Sequence, residues 1–236
     1  MQSGFIGVLC VLGLISSPLE AADRKSPSDV SSDELTSQTQ RVVSQANKFD
    51  LVWWIPIEFW ESVFAQDPTV DAATAAEILD SLRPYSMLAV VQADISALGA
   101  FEFLNNTQVA RGLSVSYVPT GGAKPSALEP LSDLEADLEV MIGVLRPVLA
   151  AAIGNMGENM HFFVLPDLDR SGDRLVSPYE FGAVEVGLGG RDSSPPVELL
   201  VELPLDALFI PRMCPNGKPA HVTWTHCPWG GEKLAD

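Results

Sequence analysis

The sequence predicts an α+β fold: a single domain with a mostly antiparallel sheet, one long helix and a small C-terminal hairpin carrying two cysteines. Three observations predict it. Strand-like runs of β-branched and aromatic residues recur through the chain, among them Phe49–Ile55, Ser86–Ala93, Met160–Leu165 and Val197–Leu203. Helical apolar spacing appears between them without the regular alternation of a parallel sheet. With 236 residues, 47% of them hydrophobic and 19% charged, the chain can bury one good core.

The elements follow in order. Residues 1–22 read as a secretory signal. The apolar run Phe5–Ile15, closed by Ser16-Ser17-Pro18, has the length of a signal core and is too short to cross a bilayer. The expectation is an exported protein, periplasmic or extracellular, with no transmembrane span once the signal is cleaved. Residues 23–47 are dominated by Ser, Asp, Thr and Gln and read as a flexible linker. The α+β domain is expected over 48–210 and the cysteine-containing tail over 211–236.

Within the domain, Phe49–Ile55 reads as a buried strand stopped by Pro56, and Ile57–Phe64 as a helix burying Phe59, Trp60, Val63 and Phe64. Asp71 is a helix cap for a second helix that Pro84 ends. Phe101–Phe103 and Leu113–Val118 alternate with period two, as half-buried strands do. Leu131–Ile153 is the strongest helix, with Leu134, Leu138, Met141, Leu145, Val148 and Leu149 on its apolar face. Pro147 is expected to kink or split it, and Gly154 or Gly157 to cap it. Gly182–Leu188 and Val197–Leu203 are the last two strands, with Gly189-Gly190 and Pro195-Pro196 turning between them.

The formal net charge of −17 excludes some function classes. Nonspecific nucleic-acid binding and docking on an anionic membrane surface both need a basic footprint. The partner is otherwise unknown. No Gly-x-Ser-x-Gly, Walker loop, Gly-x-Gly-x-x-Gly or His-Glu-x-x-His is present.

The most informative stretch is Asp169–Phe181. Oxygen-bearing side chains stand at Asp169, Ser171 and Asp173, followed by Val176, Ser177 and the carboxylate of Glu180 at the twelfth position. This spacing resembles an EF-hand calcium loop. The resemblance implies calcium ligation by Asp169, Ser171, Asp173, the carbonyl of Leu175, Ser177 directly or through water, and Glu180. Arg174 stands where that family has a turn glycine, and Pro166 bars an entering helix, so the implied site is weak. Starting the register at Asp167 puts Pro178 last and loses the closing carboxylate. The alternative is a polar hairpin turn with Gly172 at its tip.

In the tail, Cys214-Pro215-Asn216-Gly217 and Cys227-Pro228-Trp229-Gly230 resemble two degenerate zinc-ribbon knuckles, each lacking its second cysteine. Zinc is disfavoured for want of ligands, although His221 and His226 lie nearby. In an exported chain that loses Cys10 with its signal, a Cys214–Cys227 disulfide is the expected state.

Trp53, Trp54 and Trp60 form an aromatic cluster flanked by Glu58 and Glu61. Neighbouring strand residues face opposite ways, so one of the pair Trp53 and Trp54 either lines a groove or lies under a helix. His161 reads as a core histidine with a hydrogen-bond partner. The pattern over 49–60, the strand Asn159–Phe163 and the ending Cys227–Leu234 together resemble a family of exported bacterial proteins of unknown function. The leading expectation is a non-catalytic binding or structural protein of the bacterial envelope with a weak calcium loop. One alternative is a hydrolase using acids near the aromatic cluster; another is an envelope assembly protein without a small ligand.

Overall fold

The computed structural model describes residues 22–45, 47–191 and 195–235. The signal expected over 1–22 therefore lies outside the described residues but for Ala22. The described residues fall into two compact units, Arg24–Ile210 and a second that contains 211–235.

The larger unit begins with α1 (Ser32–Thr39), β1 (Gln40–Gln45) and β2 (Lys48–Ile55), then α2 (Ile57–Gln66), α3 (Ala72–Leu82), β3 (Tyr85–Ile95) and β4 (Phe101–Phe103). It continues through α4 (Asn106–Gly112), β5 (Ser114–Pro119), β6 (Ser126–Ala127), α5 (Ala136–Ile153), β7 (His161–Pro166), β8 (Gly182–Leu188) and β9 (Val197–Leu203). Every described strand pair is antiparallel, so the α+β expectation holds.

The segment expected as a flexible linker is instead folded. The Ser31 hydroxyl accepts the Glu34 amide and starts α1. Val30 and Leu35 are buried, Leu35 to 0% exposure. β1 then pairs along the length of β2 through backbone hydrogen bonds that need no apolar side chains. Composition alone misses this order.

β1, β2 and β3 run side by side, and the far edge of β3 is shared end to end by β7 and β4. β2 and β3 are buried along almost their whole length, which requires cover on both faces. On one face, Trp53 donates to the Thr39 hydroxyl at 3.2 Å and meets Phe59 of α2 edge to face at 5.2 Å. Trp54 points the other way and is equally buried. Neither lines a groove. A second sheet, β6-β5-β8-β9, alternates buried Val184, Val186 and Leu188 or Leu199, Val201 and Leu203 with more exposed neighbours.

α5 starts later than expected and is not split at Pro147. The proline forfeits the hydrogen bond to Gly143. Gly143 has no neighbour near its Cα and both residues are exposed, so water can serve the orphaned carbonyl. Its buried residues are Leu138, Ile142, Leu145 and Leu149, while Val148 is exposed. Gly154 caps it at φ +68°. α4 was not expected; Asn105 and Gln108 form a reciprocal capping box at its start.

In the second unit, β10 (Arg212–Met213) pairs with β11 (Pro219–Ala220), and Cys214 is disulfide-bonded to Cys227. Both cysteines of this unit are therefore bonded to each other. Among the described residues no helix is long and apolar enough to cross a membrane.

Candidate binding cleft

The crossing from β7 to β8 carries the loop singled out by the sequence, and its anchor is a residue that the calcium reading counted as a flaw. Arg174 reaches the start of α2, where its Nη1 and Nη2 donate to the two oxygens of Glu58, the second contact at 3.0 Å. Its Nε donates to Asp167 at 2.9 Å. Glu58 is 5% and Asp167 1% exposed. A carboxylate in the first turn of α2 also faces the positive end of the helix. Asp167 is held further by the Val176 amide at 3.1 Å, while its own amide donates to the Pro84 carbonyl at 2.8 Å.

These contacts set the electrostatics. Burial lifts the Asp167 carboxyl to about 6, against the pull of Arg174 and the Val176 amide. Burial opposes the charge of Arg174, but Glu58 and Asp167 outweigh it and hold the guanidinium ionised. Glu61 is raised by burial and by Glu58, with Arg83 at 3.3 Å opposing.

At the loop tip, Asp169 Oδ1 accepts the amides of Ser171 at 2.7 Å and Asp173 at 3.0 Å. Gly172 takes φ +86°, and Leu168 bridges Arg174 across the turn. This is the geometry of a hairpin turn. Asp169, Ser171 and Asp173 lie exposed at the tip. Leu175, Ser177 and Glu180 instead line a cleft of about 470 Å³ with Arg24, Tyr117, Arg174 and Tyr179. Among the described residues no three His, Cys, Asp or Glu side chains are grouped so as to hold a metal. The six expected ligands are thus divided between two places.

The cleft is built from three distant segments. Arg24 is fixed through its backbone, which bridges Phe209, and the Lys25 amide donates to Leu208 at 2.9 Å. Its guanidinium lies 3.9 Å from the centre of the Tyr179 ring, which meets Phe209 edge to face. Burial, then Glu58 and Glu61, push the Tyr179 hydroxyl up to about 12, so it remains a donor at neutral pH. Tyr117, on β5, is raised by burial and by Glu180. Ser177 accepts the Tyr179 amide at 3.4 Å.

A second cluster joins the two sheets. Arg191, just after β8, pairs with Asp50 at 2.7 Å and Asp94 at 3.3 Å, and Gln92 donates to Asp50 at 2.8 Å. Gly112 and Gly189 pack so closely that a Cβ on either would sit 2.8 Å from the other's Cα. The arrangement latches the segment after β8 to β2 and β3 of the first sheet. The acids near the tryptophans are likewise occupied: Glu58 by Arg174 and Glu61 by Arg83. His161 bonds the Leu104 carbonyl at 2.7 Å, as a core histidine does.

Arg24, Tyr117 and Tyr179 were not picked out from the sequence. The one available signal was the pair of misfits in the loop, Arg174 in a glycine's place and Asp167 as a rejected first ligand. No protein-family model, curated protein or solved structure matches this chain.

Proposed function

We propose that the chain is an exported, non-catalytic binding protein whose cleft takes a short zwitterion, of the size of a di- or tripeptide, with its carboxylate on Arg24. The observation that carries this is the state of Arg24. Its position is fixed by backbone pairing and by stacking on Tyr179, yet it makes no ion pair among the described residues. Tyr117 and Ser177 add hydroxyls to the same wall. Glu180, exposed and in no ion pair among the described residues, offers its carboxylate to an ammonium group.

Charge selects the zwitterion over a simple anion. The chain carries −17, and one of those formal negative charges belongs to the buried cluster of Glu58, Asp167 and Arg174 above the Asp167 pKa. A dianion would meet that field; a ligand of no net charge does not. Catalysis is disfavoured because Glu58 and Asp167 are held by Arg174 and neither lines the cleft. Export rests on the Cys214–Cys227 disulfide, which persists in oxidising compartments such as the periplasm or the exterior.

Calorimetric titration with trialanine tests the reading. Tighter binding of trialanine than of trialanine amide, which lacks the carboxylate, is expected, by about tenfold or more. Equal affinities for the two, or no binding of either, would overturn it.

A further inference from the structure

The second unit exposes aromatic surface that its own core does not use. Its buried residues are Cys214, Ala220, Val222, Cys227 and Leu234. Its two largest side chains, Trp224 and Trp229, remain 38% and 50% exposed. They are not scattered: the indoles meet at 6.0 Å with 75° between their planes, forming one corner.

The corner is held from several sides. The disulfide closes the unit. Arg212 donates to the carbonyls of Val222, at 3.0 Å, and Trp224. The Gly231 amide donates to the Cys227 carbonyl at 2.8 Å and closes the turn that presents Trp229. Lys218 lies 4.8 Å from the centre of the Trp229 ring, and the His221 ring 6.0 Å from Trp224. Two donors therefore rim an aromatic floor and wall.

Size and charge narrow the occupant. The exposed parts of the two indoles amount to roughly 200 Å². A stable protein partner covers about 800 Å² on each side. The corner is too small for that and matches the C–H face of a sugar ring. Polyanions are disfavoured by the charge of −17 on the chain. We infer that Trp224 and Trp229 bind a neutral saccharide, its C–H face on the indoles and its hydroxyls on Lys218 and His221. This inference is independent of the Arg24 cleft.

Acrylamide quenching of the full, disulfide-bonded chain reads it directly. Trp53, Trp54 and Trp60 are buried, so quenchable emission reports Trp224 and Trp229. The probes are chitotriose and cellotriose, neutral oligosaccharides with flat C–H faces, up to about 10 mM. At least one should protect the emission saturably, and Trp229→Ala should abolish the saccharide-dependent change. Lys218→Met, which keeps the aliphatic stem on Trp229, should weaken binding about fivefold through loss of one donor, and it covers the case in which Trp229→Ala misfolds. No protection by either sugar, protection unchanged in both variants, or sugar-independent protection that grows with protein concentration as a dimer forms would each overturn the inference.

Discussion

Arg174 and Glu58 stand 116 residues apart in sequence and meet through two parallel hydrogen bonds at the first turn of α2. That forked contact, with Asp167 on the third nitrogen, fastens the loop between β7 and β8 to the helical face of the first sheet. Removing the cation leaves two buried carboxylates without a counter-charge, Asp167 keeping only the Val176 amide. Arg174→Met should therefore lower the unfolding free energy by about 3 kcal/mol, measured by urea denaturation. A loss below about 0.5 kcal/mol, typical of an exposed pair, would show that the contact is incidental.

Asp167 gives the protein a specific response to pH. Its folded pKa, about 6, lies above the ordinary carboxyl value, so the folded state holds the proton more tightly than the unfolded state. Its contribution is complete below the unfolded value and is lost as pH rises through 6. Glu61, also raised, acts in the same direction. Between pH 7 and pH 5 the unfolding free energy should rise by about 1 kcal/mol from Asp167 alone. Asp167→Asn should remove that increment from the wild-type slope. Identical slopes for the two proteins would place the carboxyl in an ordinary environment.

The outcome for this loop shows what was legible in the sequence and what was not. β2, α2, α3, β3, β8 and β9 lie close to where periodicity, Asp71 and the prolines put them, because each signal is local. α1 and β1 were lost to composition, although Ser31 three residues before Glu34 is a cap signal. The cleft joins Arg24, Tyr117 and Tyr179 across three segments, and no local pattern encodes that meeting. Ser177 and Glu180 were legible as candidate site residues, but as calcium ligands and not as part of a cleft lined by Arg24, Tyr117 and Tyr179. Arg174 looked like a defect because its partner Glu58 lay on a helix far up the chain.

Calcium has a separate outcome. Glu180 shares its cleft with the guanidiniums of Arg24 and Arg174, which oppose a dication. Melting temperatures in millimolar calcium and in chelator should agree within about 1 °C, since a ligand far below its dissociation constant adds little stability. A calcium-dependent rise that disappears in Glu180→Gln would instead establish the Asp169–Glu180 loop as a calcium site.

The proposed role of Arg24 is to hold a ligand carboxylate in the cleft beside Tyr179. A calorimetric cycle tests it most directly: wild type and Arg24→Ala, each titrated with trialanine and with trialanine amide. The expected result is a coupling of at least about 1.5 kcal/mol between the guanidinium and the carboxylate, the worth of a charge-assisted hydrogen bond. A coupling near zero, with trialanine bound equally by both proteins, would contradict it.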